Sequence, residues 1–170
     1  MDIASHALYG GAALGRKSKK DFWTAFFIGM SPDILSFGVF WISSLLGFSS
    51  QPTFSSGHPD PKMFPQYLQM LYNSTHSLVI FLIVFLIIWA IRKKPYWLLG
   101  AWGLHIIVDI PTHSYQFFPT PFLWPVSNFK VNSLSWGDPI IFIPNLVILA
   151  IIYSFWFWRW RKNKKTARDA

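Results

Sequence analysis

The sequence predicts an all-α fold: an integral membrane bundle of about four transmembrane helices, with a short half-inserted or interfacial helix at the amino end. Three observations carry that expectation. Hydrophobic residues make up 52% of the 170 and charged residues only 13%, against roughly 25% charged in a soluble domain, so a water-facing surface would be under-charged. The net charge of +8 is gathered into blocks at residues 16–20, 92–94 and 159–165, with apolar stretches between them. Basic blocks so placed flank membrane spans, whereas a nucleic-acid interface spreads its cations over a face. A chain of this length makes one compact unit, so a single membrane domain over 1–170 is expected.

Taken in order, residues 3–14 are apolar and rich in Ala and Gly, with His6 among them. Fifteen helical residues reach only about 22 Å, too short to cross a hydrocarbon core. Half-insertion, packed through Ala4, Gly10, Gly11, Ala12 and Ala13, and an interfacial position with an incidental histidine both fit. Asp2 precedes this stretch and the basic block follows it, the reverse of a cleavable signal. Spans are expected at about 22–48, 75–91, 96–111 and 138–158. Pro32 and Asp33 interrupt the first, and Pro144 and Asn145 lie inside the fourth. Trp and Tyr gather near span ends, as interfacial anchors do.

Four spans put all three basic blocks on one side, expected to be the cytoplasm. Two loops, 49–74 and 112–137, then face outward with one lysine each, Lys62 and Lys130. Neither shows periodicity. The aromatic run from Phe117 to Pro125 argues against disorder and is expected to fold over the outer mouth of the bundle. There is no cysteine, which excludes disulfides and thiolate metal sites.

Ionisable residues inside spans are costly and tend to be paired and functional. His6, Asp33, His76, His105 and Asp109 lie 10, 13, 16, 11 and 15 residues from the nearest basic block. At 1.5 Å per residue that is roughly 15 to 24 Å above the basic layer, one slab of the bilayer. Histidines and carboxylates at a common depth are the ligands that zinc, or a related divalent ion such as manganese, takes when no thiolate is present. His105 and Asp109 stand at i and i+4, on one helix face. His113 continues the stripe, although Pro111 disturbs the helix between them. Each residue also has a plainer reading: His6 as a packing histidine, His105 with Asp109 as a structural pair, His76 as a helix cap. A lone mid-span Asp33 needs a partner or a proton. His58 and Asp60 read as turn residues. Asp138 before Pro139 suits a helix cap, with a ligand or substrate contact as the alternative.

Several short stretches together resemble the prokaryotic membrane-bound metal-dependent hydrolases of the YdjM type. They are Ser5-His6-Ala7-Leu8, Ser31-Pro32-Asp33-Ile34, Ser74-Thr75-His76-Ser77-Leu78, the run from Leu104 to His113, and Pro121-Phe122-Leu123-Trp124-Pro125. The family is similar in ligand pattern to zinc-dependent phospholipases C. That resemblance implies that His6, Asp33, His76, His105 and Asp109 are metal ligands for one or two ions. Two departures bear on metal count and on any phosphate-contacting arginine: Leu35 stands where many members have a second aspartate, and Leu71-Tyr72-Asn73 where many have His-Arg-Gly.

Three functions follow as expectations. The first is a hydrolase of a lipid or lipid-linked phosphoester, using a metal-activated water with Asp33 or Asp109 as general base; its partners would be membrane lipids. The second is a metal or proton carrier, disfavoured by the apolar stretches between the slab and the basic layer. The third is a structural metal site without turnover.

Overall fold

The computed structural model describes residues 1–50 and 63–166; His58, Asp60 and Lys62 lie outside them. Among the described residues there are helices and irregular segments but no named strand. The chain forms α1 (Ile3–Leu14), α2 (Lys19–Asp33), a π-helical turn (Ile34–Gly38), α3 (Val39–Leu45), α4 (Gln66–Thr75), α5 (Leu78–Arg92), α6 (Gly100–Asp109) and α7 (Pro139–Thr166). Short 3-10 turns flank α6 at Trp97–Leu99 and Ile110–Thr112.

The distribution of side chains is inside-out relative to a soluble protein. The buried set includes Ser5, His6, Ser36, His76, His105, Asp109 and Asn145, while Leu82, Leu86, Ile87, Ile143, Val147 and Ile151 are exposed. Helix α5 is apolar from Leu78 to Ile91 and buries no residue, so lipid is the solvent that accounts for it. Two helices are long and apolar enough to cross a membrane, Lys19–Leu45 and Pro139–Arg159; α4 and α5 form a third candidate bent by 59°. The apolar segment Trp97–Thr112 is shorter.

Helix α1 is embedded in the bundle against α2, α6 and α7, with Ser5, His6, Ala7, Gly10, Gly11 and Ala12 buried. Asp2 caps it, Oδ1 accepting from Ser5 N at 2.9 Å. Its crossing with α2 is set by glycines. A Cβ on Gly29 would stand 2.6 Å from His6 O, and one on Gly10 the same distance from Ala25 O. Only hydrogen at those positions lets the two backbones approach this closely. Helix α7 is tied to α1 by polar bonds: Asn145 Nδ2 donates to Ser5 Oγ at 2.8 Å, Tyr9 Oη to Asn145 Oδ1 at 2.9 Å, and Tyr153 Oη to Leu8 O at 2.9 Å.

The first long helix begins at Ser18, whose Oγ accepts from Asp21 N at 3.0 Å, and so starts and ends three residues before the expected 22–48. It stops in a Schellman turn: Gly47, at φ 78°, donates to Ser44 O and Phe48 donates to Ser43 O. Pro32 has no N–H for Ile28 O, and the Ser31 hydroxyl supplies a hydrogen bond there at 2.8 Å. The π turn follows directly, with Ser36 Oγ donating to Pro32 O at 2.8 Å.

The expectation of an aperiodic loop through residue 74 is corrected, since Gln66–Thr75 is helical. Its two buried side chains, Leu68 and Tyr72, are four apart and pack into an aromatic cluster with Phe40, Phe64 and Phe118. The polar residues between them mask that narrow stripe in the sequence. Segment 117–125 does fold onto this cluster and stitches the α4–α5 break. Tyr72 Oη donates to Phe118 O at 2.7 Å, Leu78 N to Phe122 O at 2.9 Å, and Ser77 Oγ to Trp124 O.

Gly29→Ala is expected to force α1 from α2 and cost about 1–3 kcal/mol, measured by unfolding in mixed micelles. Gly137→Ala, with nothing within 4 Å of the added carbon, is expected to stay near wild type; equal losses would refute the crossing argument.

Candidate metal centre

Three of the ligand-type residues, Asp33, His76 and Asp109, sit beside an irregularity in the backbone. Asp33 ends α2 at the π turn, and His76 occupies the break between α4 and α5. His105 and Asp109 lie on α6, just before the 3-10 turn, and His6 is on α1. Two groups, His6/His105/Asp109 and Asp33/His76/His105, each bring their ligand atoms within 4.8 Å of one another. They share His105, and the distances join them into one cluster.

Four donor atoms converge at its centre. His105 Nε2 is 3.1 Å from His76 Nε2 and 3.2 Å from Asp109 Oδ2. His76 Nε2 is 3.6 Å from Asp109 Oδ2 and 3.4 Å from Asp33 Oδ1, and His105 Nε2 is 3.9 Å from that oxygen. Ligands at 2.0–2.1 Å from one tetrahedral ion stand about 3.3 Å apart, so the spacing suits a single centre.

The tautomers agree. His105 Nδ1 is 2.7 Å from Gly29 O, which only accepts, so Nδ1 carries a proton and the neutral ring presents its lone pair at Nε2. His76 Nδ1 is 3.1 Å from Tyr72 O and 3.0 Å from Thr75 Oγ1. Thr75 gives its own proton to Leu71 O at 2.8 Å, so it too accepts from His76, and His76 Nε2 is likewise bare. An imidazole held by Nδ1–H on a backbone carbonyl is the usual support of a metal ligand. Two facing lone pairs repel unless a proton or cation lies between them. Two carboxylates and two neutral imidazoles carry a charge of −2, which a divalent cation balances in a low-dielectric site. The residues therefore fit a divalent metal.

Asp109 Oδ1, facing away from this centre, is occupied by other groups. His6 Nε2 lies 2.8 Å from it, the Met1 nitrogen contacts it, and His113 Nδ1 is 3.4 Å away. The His6 ring also stacks on His105, with centroids 3.6 Å apart. His113 Nδ1 faces acceptors only, Asp109 O at 3.2 Å and the carboxylate, so it donates. The structure thus brings all six residues singled out in the sequence to one place, with His113 beside Asp109 and outside both ligand groups. Asp138 caps α7, its Oδ1 accepting from Ile140 N at 3.0 Å, and belongs to neither group.

Several contributors were not singled out in the sequence. Tyr72 stacks on His76 at 3.9 Å, and Trp102 Nε1 holds Thr75 O at 2.6 Å. Asp33, with 16% of its side chain exposed, forms the open edge of the cluster; His76, His105 and Asp109 are at most 1% exposed. Beyond Asp33 lies a cleft of about 390 Å³, lined by Phe37, Trp41, Phe117, His113 and Trp136. The Trp41–Asp33 spacing on one continuous helix is the only local signal that anticipates it.

Fold and site define an all-helical membrane protein with a buried His/Asp cluster suited to a metal ion. The family described as YdjM inner membrane protein matches residues 1–168, and the chain belongs to that family. No curated protein and no solved structure matches the chain.

Elemental analysis of detergent-purified protein is expected to find zinc or manganese, lost in His76→Ala, His105→Ala and Asp109→Ala. His113→Ala is expected to keep the metal with affinity lower by about 10–100-fold. Protein that takes up no metal on reconstitution would reduce the cluster to a polar packing network.

Proposed function

We propose that the protein is a membrane-embedded metal-dependent hydrolase acting on a lipid or lipid-linked phosphoester. The observation that carries this is the meeting of a buried ligand set with an aromatic-walled cleft at Asp33, the one edge of the cluster that is partly open. A divalent cation would be held by Asp33, His76, His105 and Asp109, and would supply Lewis acidity and lower the pKa of water toward 7.

The chain's own residues divide the remaining work. Asp109 is engaged on both oxygens, so it orients His105 and neutralises charge. The base role falls to Asp33, whose Oδ1 faces the imidazoles and whose Oδ2 is the atom we assign to take the proton of the attacking water. Trp41, Phe37 and Trp136 exclude bulk water and accept an apolar tail. The ionisable side chains of the cleft are Asp2, Asp33 and His113, with no lysine or arginine among its described lining. A phosphodiester, with one negative charge, fits such walls better than a monoester with two.

In this reading the chain passes the membrane four times, with the blocks at 16–20, 92–94 and 159–165 on the cytoplasmic side and the cleft facing outward. A second reading, a structural metal without turnover, draws on the near-complete burial of His76, His105 and Asp109, since closed sites are structural and open ones catalytic.

Metal-loaded protein is expected to hydrolyse phosphatidylglycerol or phosphatidylethanolamine faster than phosphatidic acid. Asp33→Asn is expected to lower turnover by about 10²–10⁴-fold with the fold intact. Turnover of none of these lipids by protein shown to carry metal would favour the structural reading.

A further inference from the structure

A second cleft, of about 450 Å³, opens at the other end of α1 and α2, where residues 15–23 meet the last turns of the membrane part of α7. Lys19 is fourteen residues from Asp33 along one helix, or about 21 Å, so the two clefts are separate. We propose that this cleft binds an anionic phospholipid, its phosphate held by Arg16 and Lys19 and its acyl chain laid along the exposed face of α2.

Charge complementarity is the first argument. Arg16 and Lys19 line the cleft, and neither forms an ion pair with a described residue. Arg16 is also positioned: its Nε donates to Ala12 O at 2.6 Å, which fixes the guanidinium at the cleft edge while its terminal nitrogens keep their donors. A third cation, Arg161, lies 5.7 Å over the ring of Phe157, another wall of the cleft. The nearest acid in sequence, Asp21, sits in the first turn of α2, where Ser18 caps the helix.

The walls distinguish a lipid from a soluble anion. Trp23, Tyr153 and Trp156 line the cleft, the side chains that settle at headgroup level in a bilayer. Trp156 packs on Phe22 with centroids 5.6 Å apart, and Tyr153 is tied to α1 through Leu8 O, so these walls are preformed. Trp23 is 52% and Phe27 57% exposed. Standing at i and i+4, they continue one apolar face from the cleft toward the bilayer centre. A free phosphate would use none of this surface; a phospholipid uses the basic edge and the apolar track together.

The test is lipid retention by the full chain, reconstituted with phosphatidylcholine and a minority of phosphatidylglycerol, then extracted and read by native mass spectrometry. Preferential phosphatidylglycerol binding is expected. It should fall roughly fivefold for each basic side chain removed and roughly thirtyfold in Arg16→Gln/Lys19→Gln, while Lys93→Gln/Lys94→Gln, in another basic block, keeps it. Lys19→Gln alone gives the fivefold step should the double variant elute as aggregate. No preference in the wild type, or equal loss in both double variants, would overturn the proposal. Displacement of the lipid by inorganic phosphate would overturn it too, marking a site for a free anion.

Discussion

The structure depends on burying Asp33 and Asp109 together in an apolar bundle. A carboxylate removed from water is costly unless paired and hydrogen-bonded, and the cost is higher where lipid surrounds the protein. Five helical elements contribute to meeting it. α6 supplies His105 one turn from Asp109, the α4–α5 break supplies His76, and α1 supplies His6 against Asp109 Oδ1. The glycine crossing of α1 and α2 serves the same end. Without the close approach at Gly10 and Gly29, His6 could not stack on His105, and Gly29 O could not lie where it orients that ring.

Regular helix is given up beside three of the ligands, while His6 and His105 stand on regular helix. The π turn follows Asp33, a break holds His76, and a 3-10 turn follows Asp109. Inside a membrane each departure frees backbone groups that water cannot reach. The Ser31 hydroxyl takes up Ile28 O, and hydroxyls also bond to carbonyls beside the other departures: Ser36 to Pro32 O, Thr75 to Leu71 O, Thr112 to Val108 O. The serines and threonines around the cluster are therefore part of the scaffold that makes irregular backbone tolerable.

The two clefts differ in chemistry. The one at Asp33 is aromatic and acidic, next to the ligand set; the one at Arg16 is aromatic and basic, at the far end of the same helices. Helix α1 joins them through a short, closely packed core, and it is bonded to α7, a wall of the basic cleft, through Ser5, Tyr9 and Leu8.

Much of this was legible in the chain itself. Low charge, segregated basic blocks and apolar stretches specify an all-helical membrane protein, because lipid admits little else. That His6, Asp33, His76, His105 and Asp109 could meet followed from counting residues, since helical rise is constant. Helix α4 was not legible, because its buried stripe is only Leu68 and Tyr72 among polar neighbours. The division of labour in the cluster was not legible either. That Asp109 is engaged on both oxygens, that His113 donates to it, and that the cleft reaches Asp33 and His113 depend on which atoms of distant segments meet. Spacing along a helix gives depth and face; only packing decides the direction of each lone pair.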